Sequence, residues 1–366
     1  MKKTPAIFLI VFVLISINCV SAGSAAQRQA AGSSAYELAL IINDGSIDDG
    51  SFNQGSWEGL VRYATEKKIT YKYYEPAVHD NNGLLLVIDQ AAAAGAKVIV
   101  TSGYTFETVV FTAQDRYPDV RFILIDSIPN NGGGTPVYRT GDNTVGVLFA
   151  EDQAGFLAGY AAVKDGYRKL GFFGGITAHS VIRFGYGFIQ GAEYAAQELR
   201  LPPGSVTVNY HYTGSFTASA QAQSLAASWF NNGTEVIFAC GGEMGSSVIA
   251  AAESAGGKVI GVDIDQASES PSVITSAMKM LQTSVYDCIA SFYSGTFPGG
   301  QTLVFHAANN GVGLPMATSR FKTFNSLDYN NIYKLLSNGT IPRIERVDAS
   351  GSPAGVQTSV IAVIEI

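Results

Sequence analysis

The sequence predicts an α/β protein built as two lobes, and three observations carry that reading. Apolar runs of strand length alternate with helix-period segments along most of the chain, which is the pattern of βαβ units and parallel sheets. One block of strand, glycine turn, helix and strand occurs twice. A chain of 366 residues also exceeds what one compact core usually holds. The expected architecture is two Rossmann-like lobes with parallel sheets, joined by a hinge that the chain crosses three times.

The first residues stand apart. Lys2 and Lys3 precede an apolar run from Ala6 to Ile15, and the small residues Ser21–Ala22–Gly23 follow. That is the layout of an export signal over residues 1–22, with a run too short for a comfortable membrane span. Cys19 lies where a lipid-acceptor cysteine would lie, and cleavage near Ala22 or Ala26 is the competing reading. Residues 23–35 are mostly Ala, Gly, Ser and Gln and read as a flexible tether.

The organising stretch comes next. Tyr36 to Ile42 is an apolar run suited to a buried strand, and Trp57, Leu60, Val61 and Ala64 share one face of a following helix. The loop between them carries Asp44, Asp48 and Asp49 and one aromatic, Phe52. Loops at the carboxyl ends of strands are where open α/β sheets bind ligands. Aspartates there disfavour phosphate and favour a neutral ligand rich in hydroxyls or amines.

Further strands are expected at 71–74, 98–101, 122–125, 170–173, 206–210, 236–239 and 259–262. Helices are expected at 84–94, 106–116, 152–163, 184–199, 218–231 and 246–255. The repeated block runs from Lys97 to Asp126 and again from Glu235 to Asp263, each closing on an aspartate after its second strand. Lobe junctions are expected near 140–145, 267–273 and 305–308. They divide the chain into a first lobe of 36–143 plus 272–305 and a second of 144–271 plus 306–366. The apolar tail 359–366 reads as an added strand.

Composition narrows the partners. Losing Lys2 and Lys3 with the signal takes the formal charge from −7 to −9. An acidic surface repels nucleic acid and anionic lipid, so membrane association is expected through a lipid anchor only. Cys240 and Cys288 lack CxxC spacing and read as buried apolar residues. His79, His179, His211 and His306 have no ligand spacing, and GxxxxGK[ST], HExxH and GxSxG are absent from the sequence. No cofactor or metal is expected. Glycines around Gly185–Tyr186–Gly187 lack a full dinucleotide fingerprint and fit close helix packing better.

The motif Asp44–x3–Asp48–Asp49–Gly50–Ser51–Phe52–Asn53–Gln54–x2–Trp57–Glu58–Gly59 resembles the opening of the basic membrane protein family. Those proteins are type I periplasmic-binding-protein-like receptors for nucleoside ABC importers, among them the purine nucleoside receptors of spirochaetes. The likeness continues through Phe156–Leu157–Ala158–Gly159, Gly185–Tyr186–Gly187–Phe188, Gly261–Val262–Asp263–Ile264–Asp265–Gln266 and Gly295–Thr296–Phe297–Pro298–Gly299–Gly300, and spans most of Leu38 to Pro315. It implies a non-enzymatic, exported, monomeric receptor that closes around a purine nucleoside and hands it to an ABC permease. It also implies roles. Asp44 and Asn53 would sit at the base, Phe52 and Phe216 would sandwich it, and Asp126 would face the ligand. Gly242, Asp263 and Lys279 would hold the ribose. Ala218 stands where family members commonly carry Asp, which leaves the Phe216 loop the loosest match.

The residues argue the same way without the family. Two aromatic rings can stack on the faces of a purine, worth about 1–3 kcal/mol per contact. Carboxylates accept from amines and hydroxyls, with a diol suiting Asp263, and Lys279 offsets the negative charge. Closure requires contacts from both lobes. Asp44, Phe52, Asp126 and Lys279 are expected on the first, and Phe216, Gly242 and Asp263 on the second. One alternative is a sugar, autoinducer or chemosensory receptor of the same fold. Another is a calcium-dependent nucleoside hydrolase built on Asp44, Asp48 and Asp49, where Ile42 stands in place of a further Asp that its motif needs.

Overall fold

The computed structural model describes residues 35–344 and 348–366. The expected export signal, Cys19 and nearly all of the expected tether lie outside them.

The first part of the chain runs β1 (Leu38–Ile41), α1 (Phe52–Lys67), β2 (Tyr71–Tyr74), α2 (Asn81–Ala93), β3 (Val98–Ser102), α3 (Glu107–Arg116), β4 (Arg121–Ile125) and β5 (Thr144–Phe149). The chain then crosses to α4 (Glu151–Lys164), β6 (Lys169–Gly174), α5 (His179–Glu198), β7 (Val206–Tyr212), α6 (Ala220–Asn231), β8 (Val236–Cys240), α7 (Met244–Ala255), β9 (Lys258–Asp263) and β10 (Val273–Lys279). It returns for α8 (Leu281–Tyr293) and β11 (Gln301–Phe305). A last crossing leads to β12 (Val312–Gly313), α9 (Ser326–Ser337) and β13 (Ile361–Glu365).

These strands make a six-stranded sheet in the order β11-β5-β4-β3-β1-β2 and a seven-stranded sheet in the order β12-β10-β9-β8-β6-β7-β13. Pairing is parallel except between β10 and β12. Central strands such as Val98–Ser102 and Val236–Cys240 are buried at every position, as expected where helices cover both faces. The tail strand adds to the edge of the second sheet beside β7.

Two expected boundaries are corrected. Thr144–Phe149 pairs with β4 and β11 in the first sheet, and Val273–Lys279 pairs with β9 in the second. Each lobe keeps one more strand before the chain leaves it, so the crossings fall at Phe149–Glu151 and Lys279–Leu281 rather than near 143 and 272. Lys279 therefore belongs to the second lobe, not the first. The physical reason is burial: Val145, Val147 and Phe149 fill the first sheet's core, and Ile274 and Ala277 that of the second. The third crossing follows β11, at Phe305–Ala307.

Helices α4 and α5 touch backbone to backbone. A Cβ on Gly155 or Gly159 would lie 2.1 or 2.0 Å from the carbonyl oxygens of Phe184 and Phe188. One on Gly187 or Gly191 would lie 2.1 or 2.0 Å from those of Asp152 and Phe156. Only glycine lets the two helices mesh so closely, which fixes what stands at their N-terminal ends.

Candidate functional site

The seam between the lobes holds a cavity of about 100 Å³, on a measure where one water needs about 10–15 Å³. Asp44, Phe52, Asn53, Asp126, Phe216, Gly242, Asp263 and Lys279, the candidates from the sequence, all line it. Tyr104, Phe184 and Glu243 border it as well and were not anticipated.

The first lobe contributes the loop after β1. Asp49 holds the start of α1, accepting from the backbone N–H groups of Ser51, Asn53 and Gln54 at 2.8, 3.0 and 3.0 Å. This is a capping arrangement, favoured by the helix dipole. Asn53 is buried and donates its amide to the carbonyls of Asp44 and Ser46, while its oxygen accepts from Ser102 Oγ at 3.0 Å. Its amide hydrogens thus shape the loop, leaving its oxygen as the group with spare capacity. Asp44 is exposed at the mouth and accepts from Asn43 Nδ2. Asp48 accepts from Ser46 Oγ. The three acids of the loop do three separate jobs, which is not how a calcium site gathers its oxygens.

The second lobe contributes strand-end residues. Phe216 follows β7, and its carbonyl accepts from the Met244 N–H at 2.8 Å, tying the loop to the start of α7. A Cβ on Gly175 would lie 2.4 Å from the Phe216 ring, so glycine lets the ring pack against that turn. Asp263 ends β9 and accepts from Ser51 Oγ across the seam at 2.6 Å. Gln266 donates to the Gly50 carbonyl at 2.8 Å, and the Ser46 N–H to Glu243 at 3.1 Å.

At the back sits Lys279, 3 % exposed. Its Nζ lies 2.5 Å from Asp126, 3.6 Å from Glu151 and 3.7 Å from Asp263. The rings of Phe52, Phe184 and Phe149 surround it, with centroids at 5.0, 5.3 and 5.6 Å, close enough for cation–π attraction. Burial works against its charge, yet the carboxylates of Asp126, Asp263 and Glu151 hold it protonated above the ordinary lysine range. Burial raises Asp263 in turn, against the pull of Lys279 and the Ser51 hydroxyl. Asp126 Oδ1 is buried in the cavity wall and has no hydrogen-bond partner among the described residues. Around Lys279 three carboxylates surround one ammonium, an excess of negative charge that disfavours an anion beside it.

Glu151 and Phe184 escaped the sequence reading. Glu151 looks like an ordinary first-turn acid of a helix, and Phe184 like a core ring. A usable signal for Glu151 was its place directly after an apolar strand run, as with Asp126 and Asp263.

A family model described as "ABC transporter substrate-binding protein PnrA-like" matches residues 36–348. A curated relative from Lactococcus lactis, "ABC transporter nucleoside-binding protein BmpA", is 27% identical over 78% of this chain and 84% of its own. "Basic membrane protein A" of Borreliella burgdorferi is 30% identical over 83% of this chain and 86% of its own. A solute-binding protein of an ABC transporter system from Aeropyrum pernix superposes with a TM-score of 0.67 at 22% identity, covering 87% and 84% of the two chains. One from Conexibacter woesei gives 0.65 at 22% identity, covering 85% and 98%. At such identities the structures speak for the fold, the two-lobed type I periplasmic-binding-protein architecture. Among the described residues no helix is long and apolar enough to cross a membrane. With most of its length matched by that model, the chain belongs to the family of PnrA-like substrate-binding proteins of ABC transporters.

Proposed function

We propose that this chain is an exported receptor that captures a purine nucleoside in the interlobe cavity and delivers it, by hinge closure, to an ABC permease. The observation that carries the reading is the composition of the cavity lining. Aromatic rings from opposite lobes, Phe52 and Phe216, share it with an acid cluster built around Lys279. Flat apolar faces and a rim of hydrogen-bond donors are what a nucleoside offers such a lining. Asp126 Oδ1 is the acceptor best suited to a ligand N–H or O–H. The Lactococcus relative, named as a nucleoside-binding protein, supports the choice over a sugar. Export and lipid attachment at Cys19 belong to the same proposal, as do the monomeric state and the permease partner.

The test is mass spectrometry of small molecules released on denaturing the protein purified from its native envelope. A purine nucleoside at near-stoichiometric yield is the expected result. A hexose or pentose in its place would move the reading to a sugar receptor.

A further inference from the structure

We propose that Glu151 is a positioning residue for ligand capture, setting from behind the cavity how the Lys279 ammonium is shared between Asp126 and Asp263 and so tying ligand affinity to pH. The inference rests on the nucleoside reading of the cavity.

Glu151 is 1 % exposed and opens α4, directly after the first crossing between the lobes. Lys279 closes β10, directly before the second. Their 3.6 Å ion pair therefore ties two hinge segments to the floor of the cavity. The charged groups facing Glu151 are Lys279 from β10, Asp126 from the end of β4, and Arg183 from α5 with its guanidinium at 3.3 Å; the Cys240 thiol at the end of β8 also feels Glu151, and burial pushes it well up, so it stays neutral. Asp152, the next residue on the same helix, also feels Arg183. Three carboxylates thus compete for one ammonium, and the guanidinium reaches Glu151 from outside the cavity wall. Burial pushes the Glu151 carboxyl up to about 7; Lys279 opposes this, Asp126 adds to it and Arg183 opposes it.

A ligand that donates hydroxyl or amine hydrogens to Asp126 and Asp263 draws off part of their negative charge. The repulsion that Asp126 exerts on Glu151 then weakens, so the bound form favours ionised Glu151 and a proton passes to the solvent. By linkage the ligand binds more tightly above this titration than below it. If binding lowers the Glu151 pKa by about half a unit, affinity changes about threefold.

The experiment is calorimetric titration of the mature protein with guanosine from pH 5.5 to 8.5, in two buffers of different ionisation enthalpy. Wild type is expected to release a fraction of a proton near neutrality and to bind about threefold tighter at pH 8 than at pH 6. Glu151→Gln should bind with a distinctly shallower pH profile than wild type above neutrality, near the wild-type acid value; the slope left below that belongs to Asp49, which burial pushes up to about 6, and to Asp263. Glu151→Asp should restore the slope. Equal slopes in wild type and Glu151→Gln, or no proton release by wild type, would overturn the proposal. Absence of guanosine binding by wild type at every pH would count against the nucleoside reading instead. The ligand-free melting temperatures then decide the role of Glu151. Its proton affinity is higher folded than unfolded, so wild type loses stability as pH rises through neutrality, and the Glu151→Gln advantage must widen from pH 5 to 8. A constant gap would overturn the proposal there too.

Discussion

Asp126 and Asp263 occupy equivalent places in the two lobes, and both reach the same ammonium. Each closes the second strand of its strand–turn–helix–strand block, each has a left-handed backbone, with φ of 62° and 67°, and Lys279 Nζ lies 2.5 and 3.7 Å from them. Aspartate tolerates this conformation better than most residues, and strained strand ends of this kind gather where ligands bind. The repeat visible in the sequence thus converges on one charge. The lobes hold each other through a lysine placed between their matching acids.

Removing either kind of wall should cost affinity without costing the fold. Asp263→Ala and Phe52→Ala are each expected to weaken guanosine binding at least about tenfold, the loss of one charge-assisted hydrogen bond or one stacking surface. Titration calorimetry reads the affinity and circular dichroism the fold. Unchanged affinity in both variants would remove the site assignment.

The seam should loosen when its direct bonds go. Ser51→Ala together with Gln266→Ala deletes the bonds to Asp263 and Gly50. The first is charge-assisted and worth about 1–3 kcal/mol. Small-angle scattering of the ligand-free variant should give a larger radius of gyration than wild type, with nucleoside restoring the compact value. An identical radius would mean that these bonds do not hold the lobes together.

Gly159→Ala should damage the second lobe severely. Its Cβ would sit 2.0 Å from the Phe188 carbonyl oxygen, and backbone cannot move aside as a flexible side chain can. A loss of at least about 3 kcal/mol is expected in denaturant unfolding. A loss under about 1 kcal/mol would mean that α4 and α5 can part cheaply.

The C-terminal strand should come loose in acid. Glu193 on α5 accepts from the backbone N–H groups of Ser359, Val360 and Ile361. Burial alone would raise its pKa, but the Ser359 hydroxyl and those N–H groups outweigh it and leave the carboxyl below the usual glutamate value. A depressed pKa contributes stability that is present above the unfolded value, about 4.5, and lost as pH falls through the folded one. Protease protection of residues 359–366 should therefore fade below about pH 4.5 in wild type. In Glu193→Ala it should be weak even at pH 7. Full protection in that variant at neutral pH would contradict the clamp.

Much of this was legible in the chain itself. Strand-length runs such as 98–101 and 236–239 sit within their strands, because residues buried on both faces leave an unbroken apolar signature. The residues chosen for the site meet at one cavity because parallel sheets bring their strand ends together. What escaped was tertiary. Nothing local marks Thr144–Phe149 or Val273–Lys279 as the last strand of one lobe rather than the first of the next. Pairing partners decide that, and they lie far off in sequence. The lobe of Lys279 is hidden for the same reason, since the pairing of its strand with β9 decides it. Asn53 carries a ligand-type side chain, yet its amide hydrogens go to the loop carbonyls, a use that only the folded geometry reveals.

On the proposed reading, two similar lobes close on a neutral nucleoside and reject anions. The most direct measurement is thermal unfolding of the mature protein with guanosine, adenosine, ribose and guanosine monophosphate, each in large excess. At about a hundred times Kd a bound ligand adds about 2.7 kcal/mol, enough to move the transition by several degrees. At least one of the two nucleosides should raise the midpoint, while ribose and the nucleotide leave it in place. A midpoint raised equally by ribose or by the nucleotide, or by none of the four, would contradict the account.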